Sequence, residues 1–419
     1  MKFLVIFFFT ALAAVSVHCQ NEDPTYGGIF TTPKPYIDPD EYIQPENKQD
    51  KFDWHLTRAV LRSQPNNVLI SPLSVKVLLT LLAEAAGQTV DSKTRKELEQ
   101  VLPYNKNLYD AKEYFKKVLG SIGTIDDQYR VNFGTRVFVD DIVNINQRFA
   151  AIAEHNYNAD VVNLDFGESR KSTQIINDWV KQITNGRIKD LVNEESVSKS
   201  IILLINALYF EGTWRFSFNK TLNREFMIAP GKKVNKQFME QTGNFYYFFS
   251  RHLNSKILRL PYNGRRFSLF IILPNDNNGV DEVIDKLDSS ALKNEVWHMD
   301  ELEVHVVIPK FKFDTSINLN EVTRSLGITE IFENTATFPL LARGGNSEGK
   351  LKVSNIIQKS GIIVDEKGTT AWSATEIELV NKFGGEPKEF IADHPFIFYI
   401  EDDTTGAKLF AGRVSDPVY

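Results

Sequence analysis

The chain has 419 residues, a formal charge of −6 and 42% hydrophobic residues, enough for a large core in one domain or two. The mild acidity, with no dense Lys/Arg cluster, argues against nucleic acid as the main partner. Cys19 is the only cysteine, which removes thiolate metal sites and cysteine nucleophiles from a mature chain that starts after it.

The start, "MKFLVIFFFTALAAVSVHCQ", has a basic Lys2, an apolar run and small residues at Val17 and Cys19. It reads as a secretory signal peptide over 1–19. The run is too short to cross a bilayer, and no later segment approaches that length, so a secreted, extracellular protein without membrane contact is expected. Residues 20–50 hold five prolines among acidic residues and read as a flexible acidic tail. The folded domain is expected over 51–419.

Phe52, Leu56, Val60 and Leu61 fall near one face of a predicted helix. "NVLISPLSVKVLLTLLAEAA" begins strand-like, breaks at Ser71–Pro72 and continues as a long apolar helix, with Ser71 as its cap. Two amphipathic helices follow. From Val131 the texture is mixed: "YRVNFGTRVFVD" is strand-like, while "NQRFAAIAEHNY" and "STQIINDWVKQITNGRI" are helical, the last ending at Gly186. "SIILLINALYFEGTW" is a long buried strand. Strands around Gly264, a strand pair in "LEVHVVIPKFKFDTSINL" and a hairpin around Asp403–Gly406 complete the chain. Early helices and late antiparallel strands give an α+β class.

Enzyme signals are thin. "GNSEG" at 345–349 matches a hydrolase elbow centred on Ser347, but a polar stretch precedes it and a strand follows, the reverse of the required context. The seven histidines show no metal-ligand spacing, and no phosphate loop is present, so no catalytic residue, metal or cofactor is expected. Asn219–Lys220–Thr221 is a glycosylation sequon. Lys93, Arg95, Lys96, Lys112, Lys116 and Lys117 offer weak binding to a sulfated polysaccharide, but interleaved acids favour a solvated face.

The informative stretch is "GIIVDEKGTTAWSATEIELVNKFGGEPKEF". A strand ends near Glu366, and Lys367–Gly368 reads as a hinge. Beyond it Thr369, Ala371, Ser373, Thr375, Ile377 and Leu379 form one uncharged face. Thr370, Trp372, Ala374, Glu376, Glu378 and Val380 form the other, with both carboxylates in water. The segment ends at Lys382, a site for a trypsin-like protease. The pattern permits a loop in one state and a strand in another.

These residues, together with "NVLISPLSV", "INDWVKQITNGRIKDLV", "LLINALYFEGTWRFSF" and "LPYNGRRFSLFIILP", resemble the serpin family of protease inhibitors over nearly the whole mature chain. The resemblance implies three β-sheets, eight or nine helices and an exposed reactive-centre loop at about 366–394. It implies a monomer that is not an enzyme and traps one protease covalently, 1:1, as its cleaved loop inserts into the large sheet. The hinge would be Glu366, Lys367, Gly368, Thr369, Thr370, Ala371, Trp372, Ser373 and Ala374. Counting the family's usual spacing from Glu366 lands on Lys382–Phe383 as the cleaved bond, with Lys388 as runner-up. "NKFG", Asn381 to Gly384, is similar to prophenoloxidase activation sites, which suggests an insect haemolymph inhibitor of clip-domain proteases in melanisation and innate immunity.

Two departures stand out. Trp372 replaces a small hinge residue. Gln358 stands where many members have histidine in the sheet-opening cluster, whose other members match Ser71, Asn206 and Trp214; glutamine can bond to both Ser71 and Asn206 but does not titrate. A non-inhibitory carrier, chaperone or storage serpin is the alternative function, and a hydrolase at Ser347 is the remote one.

Overall fold

The computed structural model describes residues 48–87, 92–104, 108–123, 128–186, 190–342, 351–369 and 386–419. The described helices are α1 (Lys48–Ser63), α2 (Pro72–Ala86), α3 (Lys93–Val101), α4 (Tyr109–Ile122), α5 (Gln147–Tyr157), α6 (Ser169–Ile183), α7 (Glu194–Ser198), α8 (Val280–Lys286), α9 (Ser289–Trp297) and α10 (Asn320–Ser325). The described strands begin with β1 (Val68–Ile70), β2 (Tyr129–Asp140), β3 (Ala159–Leu164), β4 (Ile202–Thr213), β5 (Lys220–Ala229), β6 (Lys232–Ser250), β7 (Ser255–Pro261) and β8 (Phe267–Pro274). They continue with β9 (Asp300–Pro309), β10 (Phe311–Asn318), β11 (Val353–Val364), β12 (Gly368–Thr369), β13 (Lys388–Ile391), β14 (Phe396–Asp402) and β15 (Lys408–Val414).

Helix α2 organises the interior. It is apolar on most of its circumference, with Ser74, Lys76, Thr80 and Glu84 as its polar members, as suits a buried helix, and all its residues are buried between β15 and β4. Ser71 caps it as expected, its hydroxyl accepting from the Ser74 amide at 3.3 Å, and Pro72 occupies the first turn. The cost of this position appears at Lys76. Its ammonium is wholly buried and meets the equally buried Asp53 of α1 at 3.0 Å. Burial pushes the Asp53 carboxyl above its usual value, and Lys76 works against that rise.

Hydrogen bonding joins the strands into two networks. One runs β10-β11-β4-β2-β3, with β12 attached to β4. The other has nine strands, because the 19-residue β6 pairs with β5 through its first half and with β7 through its last residues. The second and third expected sheets are thus welded by one continuous strand. The class is α+β, with ten α-helices among the described residues against the eight or nine expected. The expected strand pair β9 and β10 is a correction: the two do not pair with each other. β9 joins β6 and β13, β10 joins β11, and Lys310 is the joint between sheets. β3 and the β5–β6 hairpin carry no expectation from the sequence; their polar alternation is interrupted by half-buried positions.

The central strand β4 is covered on both faces. Ile202, Leu204, Leu208 and Phe210 belong to the main core with α2. Leu203, Ile205 and Ala207 face Ile176, Trp179 and Val180 of α6. Hence its near-continuous apolar run.

Substituting Lys76→Met should leave a buried carboxyl without its partner and cost about 3 kcal/mol, read as a lower urea midpoint. Lys76→Met combined with Asp53→Leu should recover most of that loss.

Candidate functional site

The candidate site is the junction where β11 leaves the sheet and the chain turns back over β4. From Val353 opposite Ile202 to Gly361 opposite Tyr209, β11 and β4 are hydrogen-bonded neighbours, and they run parallel. Above that ladder the chain turns at Asp365–Gly368, with amide–carbonyl bonds of 3.1 and 3.2 Å in both directions. Gly368 and Thr369 then pair antiparallel with Thr213 and Gly212 of β4. Gly368 is required here twice over. Its φ is +119°, and a Cβ would stand 2.3 Å from the Gly212 carbonyl oxygen.

Glu366 and Lys367 are tied to the segment that follows β4. The Trp214 amide donates to the Lys367 carbonyl at 3.0 Å, and the Phe218 amide to the Glu366 carbonyl at 2.9 Å. The Trp214 indole donates to the Asp365 carbonyl at 2.8 Å while its ring stacks on Tyr262 at 4.5 Å. The Glu366 carboxylate accepts from the Thr221 hydroxyl and pairs with Lys310 at 3.1 Å. Burial opposes its ionisation, but the bonds from Thr221 and the backbone, with Lys310, outweigh it and hold its pKa below the usual value. The Tyr419 hydroxyl donates to Asp365 at 3.0 Å, and its ring lies under Lys310 at 4.0 Å. Burial, then the Asp365 charge, pushes this phenol up to about 12.

The sheet-opening residues are buried below the hinge. The Ser71 amide donates to Gln358 Oε1 at 2.7 Å, and Gln358 Nε2 donates to the Ser71 carbonyl at 3.0 Å. This two-way clamp ties β11 to the start of α2. Asn206 lies opposite Gln358 in the ladder but does not bond to it, contrary to expectation. Its amide nitrogen turns to the Gly134 carbonyl at 3.0 Å and the Thr135 hydroxyl at 2.9 Å. Its Oδ1 is buried without a donor among the described residues.

Thr370, Ala371, Trp372, Ser373, Ala374, Asn381, Lys382, Phe383, Gly384 and Ser347 lie outside the described residues. The runner-up bond after Lys388 falls in β13, whose backbone is paired with β9 at Val304. Asn219 is exposed, between Phe218 and Thr221, the two residues that hold Glu366. Of the basic residues weighed for a polysaccharide, Lys93 pairs with Glu330 at 2.9 Å, Arg95 with Glu99 at 2.7 Å and Lys112 with Glu84 at 3.1 Å.

Thr221, Lys310, Asp365 and Tyr419 are the members that the sequence reading missed. Each meets the hinge across 54 or more residues of chain, save Asp365 itself, and no local pattern marks them as hinge partners, Thr221 being legible only as part of the sequon.

The depressed Glu366 pKa has a defined pH consequence. Its contribution to the hinge is complete above the usual glutamate value of about 4.3 and is lost as pH falls through the lower folded value. Protection of the Trp214 and Phe218 amides against exchange, relative to their intrinsic rates and in unglycosylated protein, should hold from pH 7 to 5 and fall only below about 4.3. Thr221→Val should move that onset to higher pH.

A family profile described as serpin, serine protease inhibitor, matches residues 47–417. Serine protease inhibitor 2 of Anopheles gambiae is 41% identical over 379 residues, spanning 89% of this chain and 92% of that protein. The crystal structure of Serpin48 from the insect Tenebrio molitor superposes with a TM-score of 0.78 at 30% identity, covering 91% of this chain and 100% of that one. Native protease nexin-1 with heparin gives 0.80 at 27%, covering 89% and 99%. The bare expectation that the chain is not an enzyme is corrected by the profile to a positive statement, protease inhibition. The chain belongs to the serpin family of serine protease inhibitors, with resemblance to insect members.

Proposed function

We propose that the protein is a secreted suicide inhibitor of trypsin-like serine proteases, cleaved at Lys382–Phe383. The protease serine attacks the Lys382 carbonyl, the Phe383 amine leaves, and the ester tethers the enzyme to the loop. The loop then enters the sheet between β4 and β11 and carries the protease with it.

One observation carries this reading: Gly368–Thr369 already pair antiparallel with the top of β4, while below them β4 and β11 pair in parallel. Parallel pairing is slightly less stable per residue, and insertion exchanges one such ladder for two antiparallel ones. Each added bond contributes about 1 kcal/mol net. Extending the register of Thr369 opposite Gly212 residue by residue puts Leu379 opposite Ile202, the first residue of β4. The uncharged face of the loop then points into the main core with Ile202, Leu204, Leu208 and Phe210. Thr375 comes opposite Asn206 and offers a hydroxyl to its unsatisfied Oδ1. The other face, expected in water, instead meets the α6 side. Glu376 and Glu378 come opposite Ile205 and Leu203, which α6 covers, so α6 must yield before these carboxylates pass.

Specificity follows from Lys382, since the relatives include proteins named antitrypsin and antichymotrypsin from Bombyx mori on similar scaffolds. A lysine calls for an acidic primary pocket. Asn381–Gly384 and the insect relatives support clip-domain proteases of prophenoloxidase activation as targets, in haemolymph. The ion pairs of Lys93, Arg95 and Lys112 reduce the charge that α3 and α4 offer a sulfated polysaccharide. Signal-peptide removal at residue 19 and a glycan on exposed Asn219 complete the proposal.

A second reading rests on Trp372. In the extended register it comes opposite Tyr209, where the β4–β11 ladder begins, so its indole enters at the point of first opening. Slow passage there would let the ester hydrolyse and make the protein a substrate, as a carrier, chaperone or storage member would be.

Mixed with trypsin, the protein should give an SDS-stable covalent complex that Lys382→Glu abolishes; cleavage without complex would favour the second reading. Trp372→Ala should raise the fraction trapped over that cleaved. Expressed in insect cells, the protein should appear in the medium starting at Gln20, and Asn219→Gln should lower its mass by one glycan.

A further inference from the structure

The lower end of the β4–β11 ladder opens onto a polar cavity of about 540 Å³. One wall is Lys199 and Ser200, just before β4. The other is Lys352, Ser354 and Asn355, at the start of β11, with Arg324 of α10 beside it. The two walls are laced by a weak clasp: the Ile201 amide donates to the Ser354 hydroxyl at 2.8 Å, and the register slips between Val353 and Asn355. The charges here are unequal. Lys199 pairs with Glu195 at 3.1 Å, and Arg324 with Glu333 at 3.1 Å. Lys352 is half-buried and has no ion pair or side-chain hydrogen bond among the described residues.

We propose that this cavity is the receiving site for the new chain end made by cleavage, a peptide-terminal carboxylate. The inference rests on the insertion reading. With Leu379 opposite Ile202, Val380, Asn381 and Lys382 run past the end of β4 between the two walls. Hydrolysis of the Lys382 ester, or of the Lys382–Phe383 bond, adds one water and leaves a carboxylate on Lys382. Among the described residues, the cation beside that path without an ion pair is Lys352. Ser200, Ser354 and Asn355 offer the hydroxyl and amide groups that the Asn381 side chain and the last peptide units need once β4 and β11 no longer pair with each other. Before cleavage the same carbonyl is in mid-chain and uncharged, so the site discriminates for the cleaved form.

The test compares intact protein with the free protein cleaved after Lys382 that trypsin releases by hydrolysis of the ester, separated from the covalent trypsin complex, both in guanidinium chloride. Cleavage should raise the unfolding midpoint of the wild type. Lys352→Glu should speed unfolding of the cleaved form about threefold to fivefold, as expected for a half-exposed ion pair, and leave the intact form unchanged. Lys352→Arg should behave as wild type. If cleavage raises the midpoint but Lys352→Glu alters both forms alike, or neither, the receiving site is wrong. If cleavage of the wild type fails to raise the midpoint, the insertion reading itself falls, and the site with it.

Discussion

The structure turns on one ladder, the parallel pairing of β4 with β11. Both strands are long and buried, so their backbone groups must be paired with something. In the intact chain the partner at hand is each other. The ladder runs from Val353 to Gly361 with a register slip between Val353 and Asn355, and being parallel it is slightly less stable per residue than an antiparallel one. Everything nearby holds the two strands in that arrangement. Gln358 clamps β11 to the start of α2 from inside, and α6 covers β4 from outside. Asn206, caught between, has a buried Oδ1 without a donor among the described residues.

The hinge above the ladder is fixed by a different kind of contact. Glu366 and Lys367 are bonded through backbone carbonyls to Phe218 and Trp214 and through charge to Lys310. Carbonyl anchors do not depend on side-chain identity, which lets the residues beyond Thr369 vary without loosening the turn. The substitution of glutamine for histidine at 358 acts in the same direction. The clamp on α2 has no proton to gain or lose, so acidity reaches this region through Glu366 and not through the sheet-opening cluster.

Much of the fold was legible because its signals are local. The capped apolar helix after Ser71, the twelve residues of β2, the Gly264 turn and the C-terminal hairpin all appear where periodicity and turn chemistry put them. What was illegible is long-range. No local pattern says that "VIPKFKF" changes sheets at Lys310, or that this lysine meets Glu366. The same holds for solvent. Alternation in 369–380 predicts two faces from local sequence alone, but whether a charged face would meet water on insertion depends on α6, some two hundred residues earlier. Ser71, Asn206 and Gln358 were identifiable as a cluster, whereas which of them bond was a matter of side-chain reach.

The two residues of β12 have a kinetic meaning. Forming a new strand from a free loop is slow chiefly at its first contacts, when ordering is costly and few bonds are made. Here that nucleus exists before any protease arrives, held at Gly368 by a backbone conformation only glycine tolerates well. On the proposed insertion mechanism what remains is propagation, one residue pair at a time, against a ladder that must unzip in step. Such a device is a fuse more than a switch: it has a lit end, a direction and a length, and it burns once. On the proposed insertion mechanism each molecule answers a single cutting event and is spent, so the response is set by how many copies are present and not by how often any one of them turns over.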